Sequence, residues 1–264
     1  MFTACFDAGG SQHDQRFMVV AGFISSANTW IKFDQLWRER LAKDGLTYFH
    51  MEEFAHSRGV FKDGWKNNEP RRKALLSDLM DIIRPHAFRK FGCVIEHKQF
   101  TDVISREERE RYYLDAFSFA GLYCAHQVNQ WRLNNQIPTA PELVFEDGDL
   151  GKGHLMDRLK NDGFGTPIFR LKKDTETLQG KLIAFTPLQA ADFLAYEIFL
   201  ANKRWEEPGY RARWGMEEFH RMMGDLVRLD EEYLGNLTED ISFTERLEKW
   251  FDKLKAELKG QAKC

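Results

Sequence analysis

The sequence has little cysteine, and the four it has (Cys5, Cys93, Cys124 and Cys264) are far apart with no C-x-x-C pair. That excludes a thiolate zinc framework and a disulfide scaffold, and makes a reducing, cytoplasmic setting the expectation. The first three sit in apolar runs and read as small core residues, with Cys264 on the terminal tail. Long hydrophobic runs are also missing. Asp7 interrupts the only early apolar stretch, so no signal peptide is expected. The longest uncharged windows, 17–31 and 116–131, are too short and too polar to span a bilayer, so no membrane partner is expected. Charge of one sign is scarce as well: 38 Lys and Arg face 41 Asp and Glu, a net charge of -3. This argues against a polybasic nucleic-acid binder but leaves open an enzyme whose acidic, metal-holding site meets a phosphate. No P-loop, G-x-S-x-G or H-E-x-x-H pattern occurs, and Asp7-Ala8-Gly9-Gly10 lacks the spacing of a dinucleotide fingerprint.

What the sequence has in surplus is phenylalanine: 22 Phe, with 7 Trp and 7 Tyr, bring aromatics to 14%. A chain of 264 residues makes one large domain or two small ones, and these rings must fill its core or serve as stacking surfaces. The pattern predicts a strand over 2–6 closed by Asp7 and a Gly9-Gly10 turn, then a buried strand over 17–24, the two close enough for a hairpin. A helix from about Thr29 follows, with Trp30, Phe33, Leu36, Trp37 and Leu41 inward and Gly45 beyond its end. Residues 46–70 read as irregular and aromatic, with rings around His50 available to line a cleft. A helix over 71–83 is expected to stop at Pro85, and a third strand to span 87–95. A capping box at Ser105–Glu108 predicts one long helix to about Leu133, its inward stripe running from Tyr113 to Trp131. A fourth strand, Leu143-Val144-Phe145, ends in Glu146-Asp147-Gly148-Asp149. A short helix (155–159), a strand (167–171) and a helix from Pro187 to about Arg204, with a second capping box at Thr186–Gln189, complete the set.

No repeat or linker appears, so the expectation is one α/β domain over 1–205 with a helical insert at about 29–84. A helical C-terminal extension over 206–264 packs on it, its apolar face at Leu247, Trp250, Phe251, Leu254 and Leu258 serving its own core or a homodimer. Three early strands followed by alternating helices and strands is the order of a ribonuclease H-like mixed sheet flanked by helices, though other mixed α/β folds share it.

Carboxylates stand out by position. Asp7 and Glu146 each follow an apolar strand, with Asp147 and Asp149 beyond; in parallel strands they would emerge at the carboxyl edge, where open α/β sheets bind ligands. The alternative is that each is a solvated turn residue. Asp192 lies on the same face of its helix as Leu188, Ala191, Ala195 and Phe199, and a carboxylate on a packed face is costly unless paired or metal-bound. Its alternative is a bond to a buried amide or an arginine. Converging carboxylates suit Mg²⁺ or Mn²⁺ and phosphodiester cleavage. His50 is the best histidine for proton transfer or a phosphate contact. Lys172 and Lys173, after the fifth strand, are candidate phosphate contacts or simply solvated.

Taken together, Phe6-Asp7-Ala8-Gly9-Gly10, Val19-Val20-Ala21-Gly22, Phe49-His50-Met51, residues 144–149 and Leu188-Gln189-Ala190-Ala191-Asp192-Phe193-Leu194-Ala195 resemble the bacterial and phage "domain of unknown function 3800" family. The resemblance spans roughly 1–200 and implies a ribonuclease H-like fold with an acidic site at Asp7, Glu146 and Asp192, and the family's histidine at His50. The chain departs at the opening motif, where Ala8 replaces the frequent Glu and Gly9 the Ser. The function expected is therefore a divalent-metal-dependent nuclease with Asp7, Glu146 and Asp192 as ligands, Asp147 and Asp149 auxiliary, and His50 catalytic. The alternatives are a non-catalytic nucleic-acid or partner-binding protein of a mobile-element or phage-conflict system, favoured by the missing Glu, and a hydrolase of a small phosphorylated substrate.

Overall fold

The computed structural model describes residues 1–10, 16–112, 114–148, 151–177 and 180–229. β1 (Phe2–Gly9) and β2 (Phe17–Ser26) form the expected antiparallel pair, with Asp7 opposite Ala21. β1 runs three residues further than its apolar pattern, because β2 is long enough to keep its backbone paired through Asp7 to Gly9. Gly10 then turns the chain at φ 75°, where a Cβ would lie 1.8 Å from the Phe17 carbonyl oxygen, so only glycine fits.

α1 (Ala27–Lys43) is capped by Ser26, whose hydroxyl accepts from the Thr29 N–H, and buries Trp30, Phe33, Trp37 and Leu41 while Leu36 faces out. The stretch expected to be irregular contains α2 (Met51–His56), which begins directly at His50. α3 (Glu69–His86) runs past the expected stop and keeps Pro85 in its last turn, where a missing N–H costs a single bond. β3 (Arg89–Glu96) follows.

A short helix not expected, α4 (His97–Val103), follows β3, and the single long helix expected over 105–133 is instead two: α5 (Arg106–Tyr112) and α6 (Ala116–Asn134). The Ser105–Glu108 box does form, but it opens only α5. A second box restarts the chain as α6: Asp115 accepts from the Ser118 N–H at 2.7 Å and Ser118 from the Asp115 N–H at 2.8 Å. Beyond lie β4 (Glu142–Glu146), α7 (Lys152–Asn161), β5 (Ile168–Arg170) and a small hairpin of β6 (Thr175–Thr177) and β7 (Gly180–Leu182). Then come α8 (Pro187–Arg204), α9 (Trp214–Arg221) and β8 (Gly224–Leu229). The residues just after 205 are therefore not the helical extension expected, since α9 leads into a strand that pairs parallel to β3 and belongs to the main sheet. The free edge of β3 offers unpaired backbone groups that β8 satisfies. The apolar segment near Leu247–Leu258, and any dimer contact through it, lies outside the described residues.

The sheet is mixed, in the order β5-β4-β1-β2-β3-β8, with β2 antiparallel to its neighbours and β1, β4 and β5 parallel. Alternate residues divide between two apolar layers. Cys5, Val19, Ala21 and Val144 pack with α1, α3 and α8, whereas Ala4, Phe6, Val20 and Phe145 pack with α6 and α7. Much of the phenylalanine surplus fills these layers, each ring contributing about 1.5–3 kcal/mol by leaving water. Cys5, Cys93 and Cys124 are buried free thiols, as their apolar settings suggested. Among the described residues no helix is long and apolar enough to cross a membrane.

Candidate active site

Three neighbouring parallel strands deliver their carboxyl ends to one edge of the sheet. Cys5 and Val144 point to the α8 layer, so Asp7 and Glu146, each two residues further on, point there too. Lys172 comes two residues after β5. α8 crosses above, held to the sheet by Leu188, Ala190 and Ala195, and the turn of helix after Leu188 brings Asp192 to the same side.

These four side chains meet. The Lys172 ammonium lies 2.8 Å from Asp7 Oδ2, 2.7 Å from Glu146 Oε2 and 3.0 Å from Asp192 Oδ1. Asp7 also accepts the Ala8 N–H at 2.9 Å, and Asp192 Oδ2 accepts the Met51 N–H at 2.5 Å. The buried amide foreseen as one alternative for Asp192 is thus present, but as one contact among several. All but Glu146 are buried. Burial opposes the charge of Lys172, yet Asp192, Asp7 and Glu146 outweigh it and hold the ammonium well above the ordinary lysine range. Burial pushes Asp7 well above the ordinary carboxylate range; Lys172 pulls against this, while Glu146, sharing a hydrogen bond with it, and Asp192 add to the rise. Asp192 goes the other way: burial would raise it, but Lys172, His50 and the Met51 N–H together hold it low. One ammonium cannot balance three carboxylates, and Asp7 is where the surplus proton is most at home.

His50 stands at the N-terminal end of α2, its Nε2 3.7 Å from Asp192 Oδ1 and its Nδ1 3.3 Å from Glu53 Oε1 without hydrogen-bond alignment. Glu53 is itself bound by the Tyr48 hydroxyl at 2.6 Å and by Lys173. Burial acts against its charge, but Lys173 and Tyr48 prevail and lower its pKa, while burial and the bond to Glu53 push Tyr48 up to about 12. Lys173, the other candidate phosphate contact, is thus ion-paired to Glu53 beside His50. Lys172 is likewise enclosed by the acids. Asp147 does not join the cluster, because its carboxylate is taken by Lys152 at 2.6 Å; Asp149 lies outside the described residues.

Gln189, expected only as part of a capping box, has a larger role. Thr186 makes no cap bond and its hydroxyl reaches Asp34 instead, which frees Gln189 from the expected capping box. Its Oε1 accepts from Trp37 Nε1 at 2.7 Å and the Phe49 N–H at 2.9 Å, and its Nε2 donates to the Lys172 carbonyl at 2.6 Å. One buried amide so ties α1, the His50 segment and the Lys172 loop to the helix carrying Asp192. The signal was present: Gln189, like Asp192, is a polar residue on a packed helix face. The rings around His50 do not line a cleft. Phe49 packs on Trp37, Phe54, Phe61 and Phe193 with centroids 5.6–6.1 Å away, so the residue before His50 is anchored in a buried aromatic block.

The chain matches no protein-family model, no curated protein and no solved structure. A cleft of about 570 Å³ opens over Glu146, Lys172, Asp192 and His50, with Tyr196, Phe199 and Leu200 as an apolar wall and His56 and Lys203 facing it. Among the described residues no group of three acids or histidines stands open to a metal ion. The cause is visible: the three carboxylates do converge, but on an ammonium. As a donor set they suit a hard divalent cation, which would have to take the place of the Lys172 head group.

Proposed function

We propose that the chain is a divalent-metal-dependent nuclease of ribonuclease H-like fold, related to the domain of unknown function 3800 family, hydrolysing phosphodiester bonds in the cleft above β1, β4 and α8. The observation that carries this reading is the meeting of Asp7, Glu146 and Asp192 within 3.0 Å of one point. The strand order, with the single antiparallel β2, and the position of the acids at parallel strand ends support it further. In this reading Asp7, Glu146 and Asp192 hold Mg²⁺ or Mn²⁺, which supplies Lewis-acid stabilisation of charge on a phosphoryl oxygen. His50 Nε2 faces the cleft beside Asp192 and is the group placed to accept or deliver a proton. Lys203 offers positive charge to the flanking phosphates, His56 an imidazole ring for hydrogen bonding, and Phe199 and Tyr196 an apolar wall for sugar or base.

One observation favours a second reading, a protein that binds nucleic acid or a partner without turnover. Lys172 already occupies the centre of the acids, and Ala8 stands where the family's opening motif commonly has Glu. The two readings separate in one experiment: labelled single- and double-stranded DNA and RNA are incubated with Mg²⁺, Mn²⁺ or EDTA, and Mn²⁺ binding is followed by calorimetry. The nuclease reading expects metal-dependent cleavage that Asp192→Asn and Glu146→Gln abolish. It also expects Lys172→Met to bind Mn²⁺ at least as tightly as the native chain. No cleavage and no metal binding in either protein would leave the second reading.

A further inference from the structure

A second recess, of about 440 Å³, opens between α3, α8 and the start of α9. At its base lies Glu197, which is 2% exposed. Its Oε1 is 3.5 Å from an Arg213 nitrogen, and its Oε2 is buried with no hydrogen-bond partner. A buried carboxyl oxygen left without a donor is costly, which points to a ligand that supplies one. Gly215 makes the room: a Cβ there would come within 3.1 Å of the Glu197 carboxyl carbon. The walls are Trp214, 42% exposed, and Leu76, with Lys73 and Arg213 adding positive charge.

These features exclude most ligand classes. Lys73 and Arg213 would repel an ammonium or guanidinium group, so the donor that meets Glu197 is neutral while another part of the ligand is anionic. An indole face together with a recess of this size suits a planar heteroaromatic ring. Among the nucleobases, adenine and cytosine place a ring acceptor beside their amino group, and uracil flanks its one N–H with carbonyls. Guanine alone presents two adjacent donors, N1–H and N2–H, which match a carboxylate. Burial raises the Glu197 pKa against the partial pull of Arg213, and paired N–H donors would restore the ionised form.

We propose that this recess binds a guanine nucleotide, the base stacked on Trp214 with its N1–H and N2–H edge on Glu197 and its phosphate held by Lys73 and Arg213. The nucleotide is either free or part of a strand; in the second case the recess, whose Arg213 interacts with the cleft residue Tyr196, adds base selection to the nuclease proposed above and rests on that reading.

The test is calorimetry on the full chain in EDTA, with GMP, AMP, CMP and UMP and with oligothymidylates carrying one or no guanosine. GMP is expected to bind about tenfold or more tighter than the other three. Glu197→Gln is expected to erase that preference, and Trp214→Ala, at an exposed position that leaves the fold intact, to weaken GMP about tenfold. Tighter binding of the guanosine-bearing strand than of GMP assigns the recess to a strand, and the reverse to the free nucleotide. Absence of binding at millimolar nucleotide, or equal affinities for GMP and AMP, overturns the proposal. Because no turnover is measured, that failure leaves the nuclease reading standing, and GMP binding by a protein that cuts nothing leaves this one.

Discussion

Asp7 and Asp192 are the same side chain in one cluster, yet their environments ask opposite things of them. Asp192 is held ionised by Lys172 and the Met51 N–H, whereas Asp7, buried against Glu146, favours its neutral form. A folded-state pKa below the unfolded value stabilises above that unfolded value, and one above it costs stability at neutral pH. Asp192→Asn is therefore expected to lower the melting temperature at pH 7, with a loss on the order of 3 kcal/mol for breaking a buried pair. Asp7→Asn imitates the protonated acid and is expected to leave the melting temperature unchanged or raise it. Thermal unfolding of the two variants checks the contrast, and equal losses would sink the assignment of the proton to Asp7. Asp192 was legible in the sequence because it stands on a packed helix face, where a solvated acid is out of keeping; Asp7 was marked only by its place at a strand end, where a solvated turn acid is equally ordinary. Lys172 was singled out only as a phosphate contact or a solvated residue; its place between the acids was not legible, since the three that surround it come from distant segments.

At the level of elements, α8 does more than carry Asp192. Through Gln189 it fixes α1, the segment before α2 and the loop after β5, so the relative placement of His50, Lys172 and Asp192 depends on one amide. Gln189→Ala leaves an indole N–H, a backbone N–H and a carbonyl buried without partners, and is expected to cost about 3 kcal/mol or more in chemical denaturation. Restoring the length with Gln189→Glu recovers the two accepted bonds but not the one donated to Lys172, so an intermediate loss is expected. The capping pattern Thr-Pro-Leu-Gln correctly marked the start of the helix yet misjudged what the glutamine does. A local motif reports only neighbours in sequence, and Trp37 is 152 residues away. The same limit explains the divided helix after β3, where Asp115 and Ser118 offered a second start that outweighed an uninterrupted helical pattern.

For the molecule as a whole, the hairpin, the parallel β4 and the apolar face of α8 could be read from periodicity, and with them the edge of the sheet where the acids gather. β8 could not, because Asp225-Leu226-Val227-Arg228 has too short an alternation to stand apart from the helical pattern around it. Its place has a consequence for how the protein is made. β3 must wait for a partner strand synthesised more than a hundred residues later, as Lys90 pairs with Gly224. During translation the nascent sheet keeps one raw, hydrogen-bonding border, and contacts so distant along the chain close slowly. Chains halted before Gly224 are expected to clump through that border, whereas chains carried through Leu229 stay dispersed. Sedimentation of ribosome-released fragments of graded length would show the change, and fragments equally soluble on both sides of it would contradict the idea. Among the described residues, the strand made last is thus the one that closes this border of the sheet.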